Sequence, residues 1–206
     1  VNTPSQSPHR LRTVALRPAG IYGPRENYFI PKAVAPAYVL RLMPLYFDRS
    51  QLQDWTYVYN LVWAHMAALH ALDTGGSGVA ASDAVGGRAF HITDGSLVNA
   101  AAWGIFEPIV RAVGGVVAHA IPFPAVALRF CAAQMEAAVH ALWPGSAPPL
   151  TLMEALKATT STSHSIASAS AAFGYRPLFS THEGQQWTAE EFGRRFGVDA
   201  HAQPPA

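Results

Sequence analysis

Apolar residues fall into short β-tolerant runs and longer runs at helical spacing, separated by clusters of Pro, Gly and Ser. Residues 11–16 (LRTVAL) alternate in part and stop at Arg17-Pro18, followed by Gly20 and Gly23-Pro24, which predicts a strand entering a turn-rich loop. Residues 31–42 form one apolar helical face, interrupted by Pro36. A second strand is predicted over 55–59, with Trp55, Tyr57 and Tyr59 on one side and Thr56 and Val58 on the other. Asn60 is placed to cap the helix after it, in which Leu61, Ala64, Ala68, Leu69 and Leu72 recur until the glycine-rich stretch 74–78 ends it. A third strand is predicted over 89–93, then a helix over 99–113 kinked at Pro108. Residues 1–10 and 144–149 read as loops. Ser165 opens a helix through Phe173 that Gly174 ends, with Pro177 just beyond. Ser180 and Glu183 have the spacing of a capping box that opens a helix to Phe196. This alternation of strands and helices predicts an α/β class.

The composition narrows the choices. The 206 residues are 50% hydrophobic and 13% charged, too apolar for a disordered chain. The length predicts one domain over 1–196 with a frayed tail over 197–206. Fourteen basic against thirteen acidic side chains leave a net charge of +1, so no basic surface argues for a nucleic-acid partner. The single cysteine, Cys131, excludes an internal disulfide framework and fits a reducing, intracellular compartment. The charge-free stretch 112–128 falls short of the roughly 20 residues of a spanning helix. Residues 123–143 carry Arg129, Gln134, Glu136 and His140 among apolar neighbours. As a helix, this segment either covers a substrate lobe or makes peripheral contact with a bilayer.

Motifs that invite chemistry are incomplete. Gly76-Ser-Gly78-Val-Ala-Ala81 matches a dinucleotide fingerprint in letters, but a helix precedes it where a strand is required. Tyr28 and Lys32 have the Y-x-x-x-K spacing that lets an ammonium lower a tyrosine pKa, but Pro31 inside the motif disfavours the regular helix this needs. His65 and His70 are five residues apart and share no helical face, and no zinc, nucleophile-elbow or P-loop motif occurs. From the residues alone the chain has α/β elements and no complete active site.

Four collinear segments carry a resemblance: LRTVALRPAGIYGP over 11–24, DWTYVYNLVWAHMAAL over 54–69, GRAFHITD over 87–94, and 165–192 with its S…A…GY-x-P pattern. They resemble the C-terminal half of the 3β-hydroxysteroid dehydrogenase/isomerase family of extended short-chain dehydrogenases. The resemblance implies a partial Rossmann-like fold made of its late strands plus a mainly helical substrate lobe. It also implies that the nucleotide-binding glycine loop and catalytic Tyr/Lys helix lie upstream of this segment, so that residues 1–206 alone are inactive and expose a sheet edge.

The roles it implies can be carried over one by one. Pro18, Ala19, Gly20 and Ile21 match the loop that approaches the nicotinamide of NAD or NADP. Tyr22, Gly23 and Pro24 match the start of the wall beside the substrate. Asp54 matches a position that supports the strand and the loop above it. No catalytic side chain and no metal ligand is assigned. Tyr59, Ser168 and Phe173 depart from the family pattern, and Phe123, Phe130 and Trp143 would suit a flat apolar ligand. The expected function is oxidation of a CH–OH group in a 3β-hydroxysteroid or sterol-4-carboxylate, in the cytoplasm or at the endoplasmic reticulum membrane. The alternatives are an extended short-chain reductase or epimerase for a flavonoid ketone or nucleotide sugar, and a catalytically dead lipid-binding fragment.

Overall fold

A computed structural model describes residues 12–40, 42–44, 51–73, 85–99, 103–118 and 124–196. The predicted 1–10 loop, the 74–78 helix end, the Gly76–Ala81 pattern, Phe123 and the tail from Gly197 lie outside these residues. The elements run β1 (Ala15–Pro18), β2 (Gly20–Tyr22), α1 (Phe29–Leu40), β3 (Leu42–Pro44), β4 (Leu52–Tyr57), α2 (Val58–Asp73), β5 (Ala89–Ile92), β6 (Leu97–Asn99), α3 (Trp103–Ala112), β7 (Val116–Ala118), α4 (Ala125–Leu142), α5 (Leu152–Ala158), α6 (Ala167–Phe173) and α7 (Thr181–Arg195). They divide into two compact units. The first holds 1–23, 54–96 and 164–184, and the second holds 24–53, 97–163 and 185–206.

In the first unit β1 pairs in parallel with β5, Leu16 opposite Phe90 and Pro18 opposite Ile92. β2 pairs in parallel with β4, Gly20 opposite Trp55 and Tyr22 opposite Tyr57. Phe90, Ile92, Ala64, Ala169, Val85 and Tyr175 form its buried core. α2 contributes Ala64 to that core and packs Leu61, Ala71 and Leu72 against it, while Leu69 faces solvent. Phe173 packs edge-on against Phe90 at 5.1 Å, so this departure from the family pattern keeps the core filled.

Several sequence boundaries move, each for a local reason. The first strand begins at Ala15 rather than residue 11, and the extended chain does not stop at Pro18 but continues through Tyr22 on a new partner. β4 spans 52–57 and is buried on both faces from Gln53 to Tyr57, as parallel strands are, so an alternation argument misplaces it. Tyr59 therefore lies in α2, half-exposed, and Asn60 is the third residue of that helix, not its cap. α1 starts two residues early because the Glu26 carboxylate accepts the N–H groups of Tyr28, Phe29 and Ile30 at 2.7–2.9 Å. Pro31 then sits in the first turn, where a missing N–H costs nothing. The helix predicted from 99 begins at Trp103 and contains Pro108. Helix α5 and strands β3, β6 and β7 were not predicted; the Thr151/Glu154 capping box of α5 was the available signal. The predicted end of α6 and start of α7 hold, Gly174 adopting φ 71° and Ser180 and Glu183 closing a reciprocal pair, whereas α6 opens at Ala167 with Ile166, not Ser165, at its N-cap.

The second unit pairs β3 in parallel with β7 and carries α1, α3, α4 and α5. Arg129 of α4 donates to the Thr159 hydroxyl (2.8 Å) and carbonyl (3.0 Å), and Glu136 accepts the Leu152 N–H at 2.8 Å. Among the described residues, no helix is long and apolar enough to cross a membrane.

Candidate functional site

The segment from Pro18 to Pro24 is where the chain changes partner. β1 ends at Pro18 against Ile92, and β2 begins at Gly20 against Trp55. Ala19 is the pivot. Its N–H donates to the Ile92 carbonyl at 3.2 Å and the Thr56 hydroxyl at 3.1 Å, while that hydroxyl donates to the same carbonyl at 2.8 Å. Thr56 thus ties three strands at one point, at the carboxyl ends of β1 and β5. Open α/β sheets bind ligands beyond the carboxyl ends of their strands.

Two glycines make the turn possible. A Cβ on Gly20 would lie 2.7 Å from the Trp55 ring, so only glycine lets β2 lie on that indole. Gly23 has φ +148°, and a Cβ there would lie 2.5 Å from Val58. The glycine at 20 is thus explained by contact with its own fold.

Below this turn lies a buried polar hub. The Tyr22 ring is 1% exposed, and its hydroxyl donates to Asp94 Oδ2 at 2.9 Å and faces the Thr181 carbonyl at 3.2 Å. Asp94 Oδ1 accepts the Tyr57 N–H and the Asn60 amide, each at 2.8 Å. Asn60 also donates to the Phe179 carbonyl, and its carbonyl accepts the N–H groups of Leu178 and Phe179. Burial lifts the Asp94 pKa above the ordinary carboxylate value, against hydrogen bonds from Asn60, Tyr57 and Tyr22 that pull it down. Burial, followed by the Asp94 charge, raises Tyr22 far above an ordinary phenol. Burial raises Tyr57 to about 12. A catalytic tyrosine base needs the opposite shift, so the hub holds protons and shapes the turn.

The structure brings Ala19, Gly20 and Tyr22 together with Thr56, Asn60 and Asp94. Pro18 and Pro24 are half-buried, Gly23 is buried, and Ile21 is 39% exposed. Sequence reasoning assigned no role to Thr56 or Asp94 and misread Asn60; an Asp closing a strand and an Asn in a helix's first turn were the only traces. Asp54 is buried and accepts both the N–H and, at 3.1 Å, the ring Nδ1 of His164, so it pins the 162–166 loop to β4. His91 stacks on His164 at 4.4 Å, and burial, then the charges of His164 and Arg17, lower its pKa. No acid cluster fit for a metal occurs among the described residues. In the second unit Lys32 lies over the Tyr28 ring at 4.3 Å and pairs with Glu154 at 2.9 Å. The hydrogen bond to Glu154 raises the Lys32 pKa.

The profile of the 3-beta hydroxysteroid dehydrogenase/isomerase family matches residues 2–125. The chain is 32% identical over 196 residues to the human protein called short-chain dehydrogenase/reductase family 42E member 1, covering 91% of this chain and 47% of that protein. It is 31% identical over 173 residues to the decarboxylating sterol-4-alpha-carboxylate 3-dehydrogenase of Saccharomyces cerevisiae, covering 84% and 47%. The chain thus spans about half the length of these curated relatives. Among solved structures it resembles an epimerase from Methanothermobacter thermautotrophicus (TM-score 0.55, 18% identity, 91% of this chain and 45% of that one). It also resembles the UDP-glucuronic acid 4-epimerase of Bacillus cereus, solved with NAD (TM-score 0.54, 16% identity, 91% and 46%). At such identities these structures establish the extended, Rossmann-like fold alone.

Proposed function

The chain belongs to the 3-beta hydroxysteroid dehydrogenase/isomerase family, and from that premise we propose that the protein containing it is an NAD- or NADP-dependent dehydrogenase acting on the 3β-hydroxyl of a sterol or sterol-4-carboxylate. The observation that carries this reading is the partner switch at Ala19, held by Thr56 and Ile92 at the carboxyl ends of parallel strands. A relative named for sterol-4-carboxylate oxidation supports the substrate class.

The described residues fit one side of a nicotinamide site. Pro18 lacks an N–H and Ala19 has committed its own to the sheet, so the turn offers shape and carbonyl oxygens with no new donor from either residue. In this reading Pro18, Ala19, Gly20 and Ile21 flank the carboxamide, and Ile21 is the side chain that remains accessible. Tyr22, Gly23 and Pro24 begin the substrate wall, Tyr22 acting through the turn it anchors because its ring is buried. A nicotinamide held beside this turn would supply the hydride acceptor for carbon 3. Among the described residues the buried tyrosines 22, 57 and 175 have raised pKa values and retain their protons, so the base that removes the hydroxyl proton is none of them. Loss of hydride and proton leaves a ketone at carbon 3; a neighbouring 4-carboxylate can then depart as carbon dioxide. Placement at an intracellular membrane, the endoplasmic reticulum included, fits so apolar a substrate.

The test uses the full-length polypeptide containing this chain, with NAD or NADP and a 3β-hydroxy-4-carboxysterol. The expected result is cofactor reduction matched by the ketone product. Turnover of a nucleotide sugar without net cofactor reduction would replace this reading with an epimerase. Vesicle binding without nicotinamide binding would replace it with a lipid-binding module.

A further inference from the structure

Arg25 is the one residue other than glycine with a positive φ among the described residues, at +65°. It follows Pro24 as the second central residue of a turn. That is the order of a type II turn, whose left-handed position usually takes Gly or Asn. A glycine would make the same turn with less strain, so the turn does not account for an arginine there. Side chains kept on such backbones cluster at functional sites, where the side chain has a task. Arg25 lies just past the carboxyl end of β2 at Tyr22, where open parallel sheets bind ligands, and it directly extends the Tyr22–Pro24 stretch read above as substrate wall. Its side chain is exposed, and no hydrogen bond or ion pair ties the guanidinium to another described residue. The acid beside it is not its counter-ion: the Glu26 carboxylate accepts the N–H groups of Tyr28, Phe29 and Ile30 at 2.7–2.9 Å. Asp94, beneath the turn, is likewise engaged with Tyr22, Tyr57 and Asn60. The turn therefore presents a positive charge with no internal partner.

We propose that Arg25 binds the carboxylate of an acidic substrate, a 3β-hydroxysterol with a carboxylate at carbon 4, and so selects it over the neutral sterol. The inference rests on the dehydrogenase reading above and narrows its substrate. A neutral sterol laid against this cation would strip its water and give it no partner, which is costly. A carboxylate offers two oxygens to the planar guanidinium fork. Carbon 4 is bonded to the carbon that loses the hydride, so a clamp on its carboxylate also fixes carbon 3 in place. Once carbon dioxide has left, the ketone no longer carries the group that Arg25 holds, which favours its release.

The test uses the full-length polypeptide containing this chain, with NAD or NADP and two 3β-hydroxysterols that differ only at carbon 4, one carrying a carboxylate and one a methyl group. Arg25→Gly should lower kcat/KM for the acid about 30-fold or more, mainly through KM. For the methyl sterol the change should be no more than about threefold. Arg25→Lys keeps the charge without the fork and should recover part of the loss. Titration calorimetry of the acid onto the protein with reduced cofactor should show the same weakening. The thermal midpoint of Arg25→Gly should equal or exceed that of the parent, because glycine takes a φ of +65° without strain. Equal losses on both sterols, or a loss on the acid matched by a lowered midpoint and no rescue by lysine, would overturn the proposal by making Arg25 a support of the fold. No loss on the acid would overturn it as well. A parent that oxidises the methyl sterol but not the acid would sink this inference and leave the dehydrogenase reading standing, whereas a parent that oxidises neither would remove both.

Discussion

The Asp94 hub and helix α4 distribute polarity in opposite ways. In the first unit a carboxylate, an amide and a phenol are buried together, each with partners at 2.8–2.9 Å. In the second, apolar side chains stand outside while Arg129 and Glu136 are tucked beneath. Polar groups are thus buried where the fold gives them partners, and hydropathy alone does not decide which side of α4 is covered. The hub lies where the chain leaves β5 at the end of β1 and takes β4 as the partner of β2, and something other than a ladder must hold the turn there.

Removing the centre of the hub should have the largest effect. Asp94→Ala strands the Tyr57 N–H and the Asn60 amide and removes an acceptor from Tyr22, at a cost of about 3–5 kcal/mol. Denaturant titration would show it; a loss under about 1 kcal/mol would mean that water replaces the carboxylate freely. Gly20→Ala should follow at about 1–3 kcal/mol, since the new methyl meets the Trp55 ring at 2.7 Å. A neutral result there would mean that the indole moves aside.

A smaller effect concerns pH. Burial raises Asp94 above its ordinary 3.8, so the folded chain keeps this proton where the unfolded chain has lost it. The group's contribution is complete below 3.8 and is lost as pH rises through the raised folded value. Asp94→Asn keeps the shape, and Tyr22 can then accept from the amide and donate to Thr181. The stability of this variant relative to the parent should therefore improve between acid and neutral pH. Unfolding midpoints at several pH values measure it, and a change of opposite sign would remove the buried-charge account of the hub. Smallest of all, Phe130→Gln should move stability in water by no more than about 0.5 kcal/mol, because its side chain already faces solvent. A large loss by thermal melting would show that α4 has a covering partner within the chain.

Legibility differed along the same line. Caps and periodic runs could be read because their physics is local: Ser180 with Glu183, Gly174 at φ 71°, and the alanines of α2 all follow from neighbours a few residues away. The segments around Pro18–Pro24, Asp54, Asn60 and Asp94 could be recognised as family motifs, which did not give their wiring. Asn60 was misread because a helix-start asparagine is most often a cap, and only distant carbonyls and amides reveal that it bridges Asp94 to Phe179, 119 residues away.

By itself the sequence determined the α/β class, the Gly174 end of α6, the Ser180–Glu183 opening of α7 and the family, since each is written in residue types at fixed short spacing. Tertiary structure alone decided that β1 hands over to β2 at Ala19, that Tyr22 is a buried donor and not a surface wall, and that α4 carries its apolar side outward. Those outcomes depend on which groups meet across long separations in the chain, and a hydrogen-bond partner or an absent neighbour has no local signature.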